Sequence, residues 1–396
     1  MANVKKTSKK SAQARANSTG RKTLQKINTS PLNSAEKLSK WSRFKAWWRV
    51  RKLWQKIGLI LLAVLVLFMA QAYAIAYWYQ QKHKNEPLNI GVTYISEYAN
   101  YFGLDPHETM LALRDDLGFR RFRLVSYWND IEKSPGVYDF SDLDWQFDQV
   151  DAVNGKVTLA IGLRQPRWPE CHAPEWVIGK QESEWRPQLD AFTKAVVNRY
   201  KDNPALQSYQ LENEYFLGVF GECQAYGAPR QRLIDEFTMV KAADPKHPVI
   251  LSLANNYFGI PTGKPRADQF GVSVYKRVWD KTVTKTYFEY PFYSWYYSWR
   301  AGLTEIFTGR SSMLHELQAE PWPPGDLKTT SIEEQSKSMD QKRLAERIDY
   351  GVDTGFRDID LWGGEWWYWR KVQLHDDSLW NTVKAKMQQY GQNPVQ

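Results

Sequence analysis

Two glutamates follow apolar runs at positions where a carboxyl group can do chemistry. Glu214 closes the stretch Tyr209-Gln210-Leu211-Glu212-Asn213-Glu214, beside an amide, and Glu316 follows Ser312-Met313-Leu314-His315. Two carboxyls that face each other are the equipment of glycosidic-bond cleavage. One protonates the leaving oxygen, while the other attacks the sugar or activates water from the opposite side. Alone, either residue reads as a solvated surface acid, the common state of Glu; the case rests on their paired positions. Neighbouring acids compete for both roles. Glu212 lies two residues before Glu214, so in an extended strand it shares that side, one layer deeper. Glu320, in Gln318-Ala319-Glu320-Pro321-Trp322, competes with Glu316, which is preferred because the apolar run stops at Leu314. Glu365, amid Trp362-Gly363-Gly364-Glu365-Trp366-Trp367, either meets substrate or braces its loop.

Other chemistries lack their signatures. His315-Glu316-Leu317-Gln318-Ala319 has no second His for a zinc site, no GxSxG elbow occurs, and the two cysteines form no CxxC. No metal and no organic cofactor is expected. The residues that follow the apolar runs are mostly carboxylates, amides and aromatics, a mixture that suits hydroxyl groups and the apolar faces of sugar rings. A phosphate site would carry Gly-rich turns and clustered Lys/Arg instead. The dense aromatic tract from Tyr287 to Trp299 is expected mainly to pack a long loop and helix.

The elements that must hold these residues recur. Short apolar runs at 89–94, 121–125, 156–163, 207–211, 249–253, 270–274, 312–315 and 359–362 read as strands. Helical patterns at 143–153, 189–200, 231–243 and 342–352 separate several of them. Asp105-Pro106-His107-Glu108 can start a helix, with Asp105 as cap and Pro106 in the first position. Eight strand–helix units across 88–390 have the size and rhythm of a (β/α)8 TIM barrel, with 255–268 too short and Pro/Gly-rich for a full fifth helix. A doubly wound open sheet is the alternative, but no Gly-rich phosphate loop follows the first strand. In a barrel the working residues sit at the carboxyl ends of strands. Glu214 after strand four and Glu316 ending strand seven would then meet across the mouth.

Arg123-Leu124-Val125-Ser126-Tyr127-Trp128, continuing through Ile131-Glu132-Lys133-Ser134-Pro135-Gly136-Val137-Tyr138-Asp139-Phe140, together with Asn213-Glu214 and Glu316, resembles a clan A glycoside hydrolase. This is the (β/α)8 superfamily of retaining glycosidases, here of a cellulase-like kind, and the resemblance covers roughly 88–390. It implies Glu214 as acid/base, Asn213 on the sugar 2-hydroxyl and Glu316 as nucleophile. Arg123 and Tyr275 would orient Glu316, and Trp362 would floor the subsite at the cleaved bond. It also implies retention of anomeric configuration, with carboxyls roughly 5 to 5.5 Å apart.

The N-terminus belongs to another class. Residues 1–56 hold 16 of the 53 Lys/Arg and one of the 44 Asp/Glu, which leaves 37 against 43 for the remainder. A basic arm is joined to a mildly acidic body. Residues 1–36 are expected to be a disordered cytoplasmic tail. Residues 37–56 interleave Trp and Phe with Lys and Arg, as suits a helix lying on anionic lipid. Nucleic-acid binding fits that mixture only generically, and no nucleic-acid partner is expected. The 23 residues 57–79 carry no charge and read as a transmembrane helix with an aromatic far end, followed by a linker at 80–87. A cleaved signal peptide is the alternative, disfavoured by the long charged region before it. The expected partners are membrane lipid and a carbohydrate substrate, with the catalytic body extracytoplasmic. There Cys171 and Cys223, on the rims of adjacent strands three and four, could form a disulfide. The leading reading is a membrane-anchored retaining β-glycosidase; a glycan transglycosylase and a silent carbohydrate-binding barrel are the alternatives.

Overall fold

The structure, a computed structural model, describes residues 39–391 apart from Val219, Asn256 and Phe258. The chain divides into two compact units, Met1–Val64 and Leu65–Gln396. The tail expected at 1–36 lies outside the described residues.

In the first unit, Ser39 caps the helix Lys40–Arg49 by accepting from the Ser42 N–H. Its Trp41, Phe44, Trp47 and Trp48 rings lie against one another, and Arg51 stands 4.5 Å over Trp47. The single juxtamembrane helix expected at 37–56 is therefore two pieces. The first stops at Arg49, and a new helix starts at Leu53. That second helix, Leu53–His83, is long and apolar enough to cross a membrane. It runs past the expected end at 79 and takes in Gln80–His83, which the sequence reading assigned to a linker. The extension has a cause within the second unit: Ala72, Ala76, Tyr79 and His83 form one face, and all four are buried.

The second unit is a closed barrel of eight parallel strands. We number them β1 (Asn89–Thr93), β2 (Arg121–Val125), β3 (Lys156–Ile161), β4 (Leu206–Leu211), β5 (Val249–Leu253), β6 (Gln269–Val274), β7 (Ser312–Gln318) and β8 (Asp358–Trp362). Each pairs with its neighbours in chain order, and β8 closes on β1 over Asn89 to Thr93. The crossover helices Ser141–Asp151, Glu182–Tyr200, Arg230–Ala243 and Gln341–Asp353 bury Leu, Val, Phe and Ile against the outer face of the strands. Asp105 caps Pro106–Leu111 by accepting from the Glu108 N–H at 2.9 Å. Between β5 and β6 the described residues of 254–268 form no helix. The flank there holds a cavity of about 370 Å³ lined by Leu211, Tyr215, Leu233, Leu251 and Phe270. Outside the barrel, Arg277–Trp279 and Tyr287–Glu289 pair as an antiparallel hairpin.

Charged and polar residues fill the barrel interior in layers. At the lower layer Arg121 Nε donates to Asp360 Oδ1 at 2.7 Å. Gly91 on β1 permits this, because a Cβ there would stand 2.5 Å from that same oxygen. One layer up, two residues along β2, sits Arg123.

Candidate active site

Arg123 is fully buried and reaches β4, the loop after it, and β7. Its Nε donates to Gln210 Oε1 at 2.7 Å, one terminal nitrogen to Glu316 Oε2 at 2.7 Å, and the other to Asn213 Oδ1 at 3.1 Å. The Tyr275 hydroxyl donates to the other Glu316 oxygen at 2.5 Å. One carboxylate thus receives a guanidinium and a phenol on separate oxygens, which fixes its plane.

The register of β7 explains how Glu316 arrives there. Met313 points into the barrel, its sulfur 3.6 Å from Arg121, so strict alternation would send Glu316 outward. Instead β7 carries a bulge. Met313 pairs with Gly271 and Glu316 with Ser273, while on the other side Leu314 pairs with Ile359 and Leu317 with Leu361. The extra residue turns Glu316 inward, as bulges beside active sites do. It lies within β7 and not beyond it, because the strand continues to Gln318.

Glu214 lies three residues past β4. Its backbone N–H donates to Ser252 Oγ at 2.6 Å and its Oε1 accepts from Ser273 Oγ at 2.5 Å. Burial of the carboxyl and then the nearby Glu316 charge push its pKa up to about 7, against the Ser273 bond and the Arg164 and Arg123 charges. Glu214 can therefore hold a proton near neutrality while its neighbour stays paired with a cation.

Glu212 does not share that side. Both Glu212 (φ 54°) and Glu214 (φ 43°) are left-handed, so the chain stops being extended at Leu211 and the deeper-layer expectation fails. The Glu212 oxygens accept from the Leu163 and Arg164 N–H groups, each at 2.8 Å, and brace the loop after β3. Glu320 is engaged elsewhere. It pairs with Arg167 at 3.0 Å and accepts from the Trp362 indole at 2.8 Å and the Tyr98 hydroxyl at 3.2 Å. Glu365 accepts from the Ile95 N–H at 2.6 Å, and burial raises its pKa to about 7; it braces the loop after β1.

Trp362 is placed differently from the bare floor that the resemblance implies. It is 5% exposed and the Arg167 guanidinium stands 4.2 Å over its ring. Open aromatic surface lies on the rim, where Trp168, 57% exposed, meets Phe220, which meets Trp322, which meets Tyr275.

Glu170 was not singled out as a catalytic candidate. Its Oε2 accepts from Asn213 Nδ2 at 3.0 Å. Burial, then the Glu214 and Glu316 charges, raise its pKa to about 8 against the opposing Arg164 charge. The only sequence signal was its place in the loop Arg164–His172 after β3. That loop is tied to the one after β4 by a bond between Cys171 and Cys223, whose Cα atoms are 5.3 Å apart. Among the described residues no three His, Cys, Asp or Glu side chains are grouped to hold a metal ion.

No protein-family model matches the sequence. Solved structures resemble the fold. A GH5_18 variant from Bifidobacterium longum subsp. longum in complex with Manβ1-4GlcNAc superposes with a TM-score of 0.54 at 13% identity, covering 78% of this chain and 80% of that one. GH5_18 from Streptomyces cattleya in complex with GlcNAc gives 0.52 at 12%, covering 77% and 80%. A β-galactosidase from the Antarctic haloarchaeon Halorubrum lacusprofundi gives 0.50 at 13%, covering 77% of this chain but only 58% of the galactosidase. At these identities the likeness is one of fold.

Proposed function

We propose that the chain is a retaining β-glycosidase of the clan A kind, held at a membrane by the helix Leu53–His83, with its catalytic body outside the cytoplasm. One observation carries the reading: Glu316, clamped by Arg123 and Tyr275, lies close enough to Glu214 for its charge to raise that residue's pKa. In this reading the ionised Glu316 attacks the anomeric carbon. Its two donors, one on each oxygen, hold the carboxylate in place for attack and stabilise it as the leaving group of the second step. Glu214, protonated near neutrality, gives its proton to the departing oxygen, then takes one from the water that releases the sugar. Asn213 Oδ1 is held by Arg123 and Gln210 and one of its N–H bonds by Glu170, which leaves its other N–H for a sugar hydroxyl. Trp168 and Trp322 offer ring faces to further sugar units. The GH5_18 structures with Manβ1-4GlcNAc and GlcNAc make short β-linked, GlcNAc-containing oligosaccharides the first substrates to try.

The test is digestion of a β-glycan panel by the full chain in detergent, with the anomer released first identified by NMR. Release of the β-anomer from a β-linked substrate supports the reading. An α-anomer first product would replace double displacement with single displacement, and no cleavage of any glycan would leave a binding barrel.

A further inference from the structure

The distal part of the apolar helix is built into the barrel unit, and this places other parts of the barrel relative to lipid. Phe68 lies 5.4 Å, ring to ring, from Trp299, and Tyr73 lies 4.4 Å from Trp295. Both tryptophans belong to the barrel helix Ser294–Thr308. Gly302 on that helix admits Ile75 so closely that a Cβ would stand 2.7 Å from its side chain. Gln80 Nε2 donates to Ser298 Oγ and to the Asp353 carbonyl, each at 3.0 Å, and His83 Nε2 lies 2.9 Å from Glu305. The contact is continuous from Phe68 to His83, so these residues cannot slide past one another without breaking it.

Length then sets depth. A hydrocarbon core of about 30 Å takes roughly 20 helical residues. Counted from Ile57, the first residue after Lys56, such a span ends at Ala76. Counted from Leu53, with Lys56 snorkelling, it ends at Ala72. In both placements Phe68 lies at least four residues, or about 6 Å, inside the apolar layer. Trp299, against it, shares that depth, and Trp295 lies with Tyr73 near the boundary. Tyr293, just before the helix, is 71% exposed. Trp and Tyr are the side chains that a lipid–water boundary favours, since each offers an apolar ring and a polar tip. Toward the other end of the helix, Glu305 pairs with Lys82 and His83, as befits water.

We infer that the first two turns of Ser294–Thr308 form a second lipid-contacting element, with Trp295 and Trp299 seated in the outer lipid layer beside the apolar helix. The inference rests on the membrane anchoring proposed above. It makes the barrel a body held at the bilayer along two elements, with a set orientation, and not one swinging on a linker.

The test uses the full chain in phosphatidylcholine vesicles doped with a phospholipid carrying a diazirine in mid-acyl chain. After irradiation and digestion, mass spectrometry maps the adducts. The expected result is adducts on Leu65–Phe68 and also on Tyr293–Arg300, the latter an order of magnitude above those on Val283, which is 83% exposed on the hairpin loop. Adducts on Leu65–Phe68 with only the Val283 level on Tyr293–Arg300 would overturn the inference and leave the anchor standing. No adducts on Leu65–Phe68 would refute the anchoring itself, and this inference with it.

Discussion

The barrel holds two arginine–carboxylate pairs one layer apart, and only one of them is equipped for chemistry. Arg121 and Arg123 sit two residues apart on β2 and point the same way. Below, Arg121 bonds both Asp360 oxygens, at 2.7 and 3.3 Å, and also Thr158 Oγ1 at 3.0 Å; both side chains are closed off from solvent. Above, Arg123 bonds a single Glu316 oxygen and spends its other nitrogens on Gln210 and Asn213. Glu316 receives one donor on each oxygen and, with about four lone-pair directions available, keeps acceptor capacity toward the mouth. A buried ion pair that satisfies only itself and its walls serves the fold. The same pair with spare lone pairs, beside an acid whose pKa is raised, can serve a reaction.

The largest effect should come from the upper layer. Glu316→Ala should lower turnover per folded molecule by roughly 10⁴-fold or more, whatever it costs in stability by unpairing the buried Arg123, and azide should restore part of the rate. Kinetics beside a thermal melt decides it; retained turnover would make the two layers equivalent and erase the contrast. Asp360→Ala should do the reverse. Leaving Arg121 buried and unpaired costs about 3–5 kcal/mol, read as a lower urea midpoint, with kcat per folded molecule preserved. The double variant Arg121→Met with Asp360→Leu should recover most of that loss, which sharpens the claim that the lower pair is structural.

Glu214→Gln should cost roughly 10²–10⁴-fold on substrates with poor leaving groups and much less on aryl glycosides, whose leaving groups need no proton. In the unaltered protein the rate on poor leaving groups should fall as pH rises through about 7, because the acid role proposed for Glu214 needs its protonated form and its pKa is raised to that value. The variant should lack this limb; an unchanged pH profile would remove Glu214 from the acid role. Smallest is Glu320→Gln, expected to cost about tenfold or less, since its bonds to Arg167, Trp362 and Tyr98 shape a wall. Complete loss there, with Glu316→Ala still active, would transfer the nucleophile's role to Glu320.

Some elements were legible to the residue and others were not. The bounds of β2 and β5 were readable because Phe122, Leu124 and Val125 in one, and Val249, Ile250, Leu251 and Leu253 in the other, carry the apolar pattern through the strand. β7 reads short, as 312–315, because Glu316 and Gln318 face the barrel's polar interior and interrupt the apolar run that marks a strand. Glu170 is readable only as a residue that follows the third apolar run, because its burial and its bond to Asn213 depend on a loop folding back, and nothing in local spacing encodes that return. The linker expected after residue 79 was misread for a related reason. Polar Gln80, Lys82 and His83 look like the end of an apolar helix until their partners Ser298 and Glu305, more than two hundred residues away, are in place.

The amino-acid order alone determined the apolar helix, the eight-strand rhythm and the two carboxyl-bearing strand ends, since period and composition are local properties that survive without partners. The tertiary structure decided which acids meet. The bulge in β7 turns Glu316 inward, and the left-handed turn at Glu212 diverts that side chain while presenting Glu214. A one-residue change of register exchanges the two faces of a strand, and register is set only when neighbouring strands pair and the barrel closes.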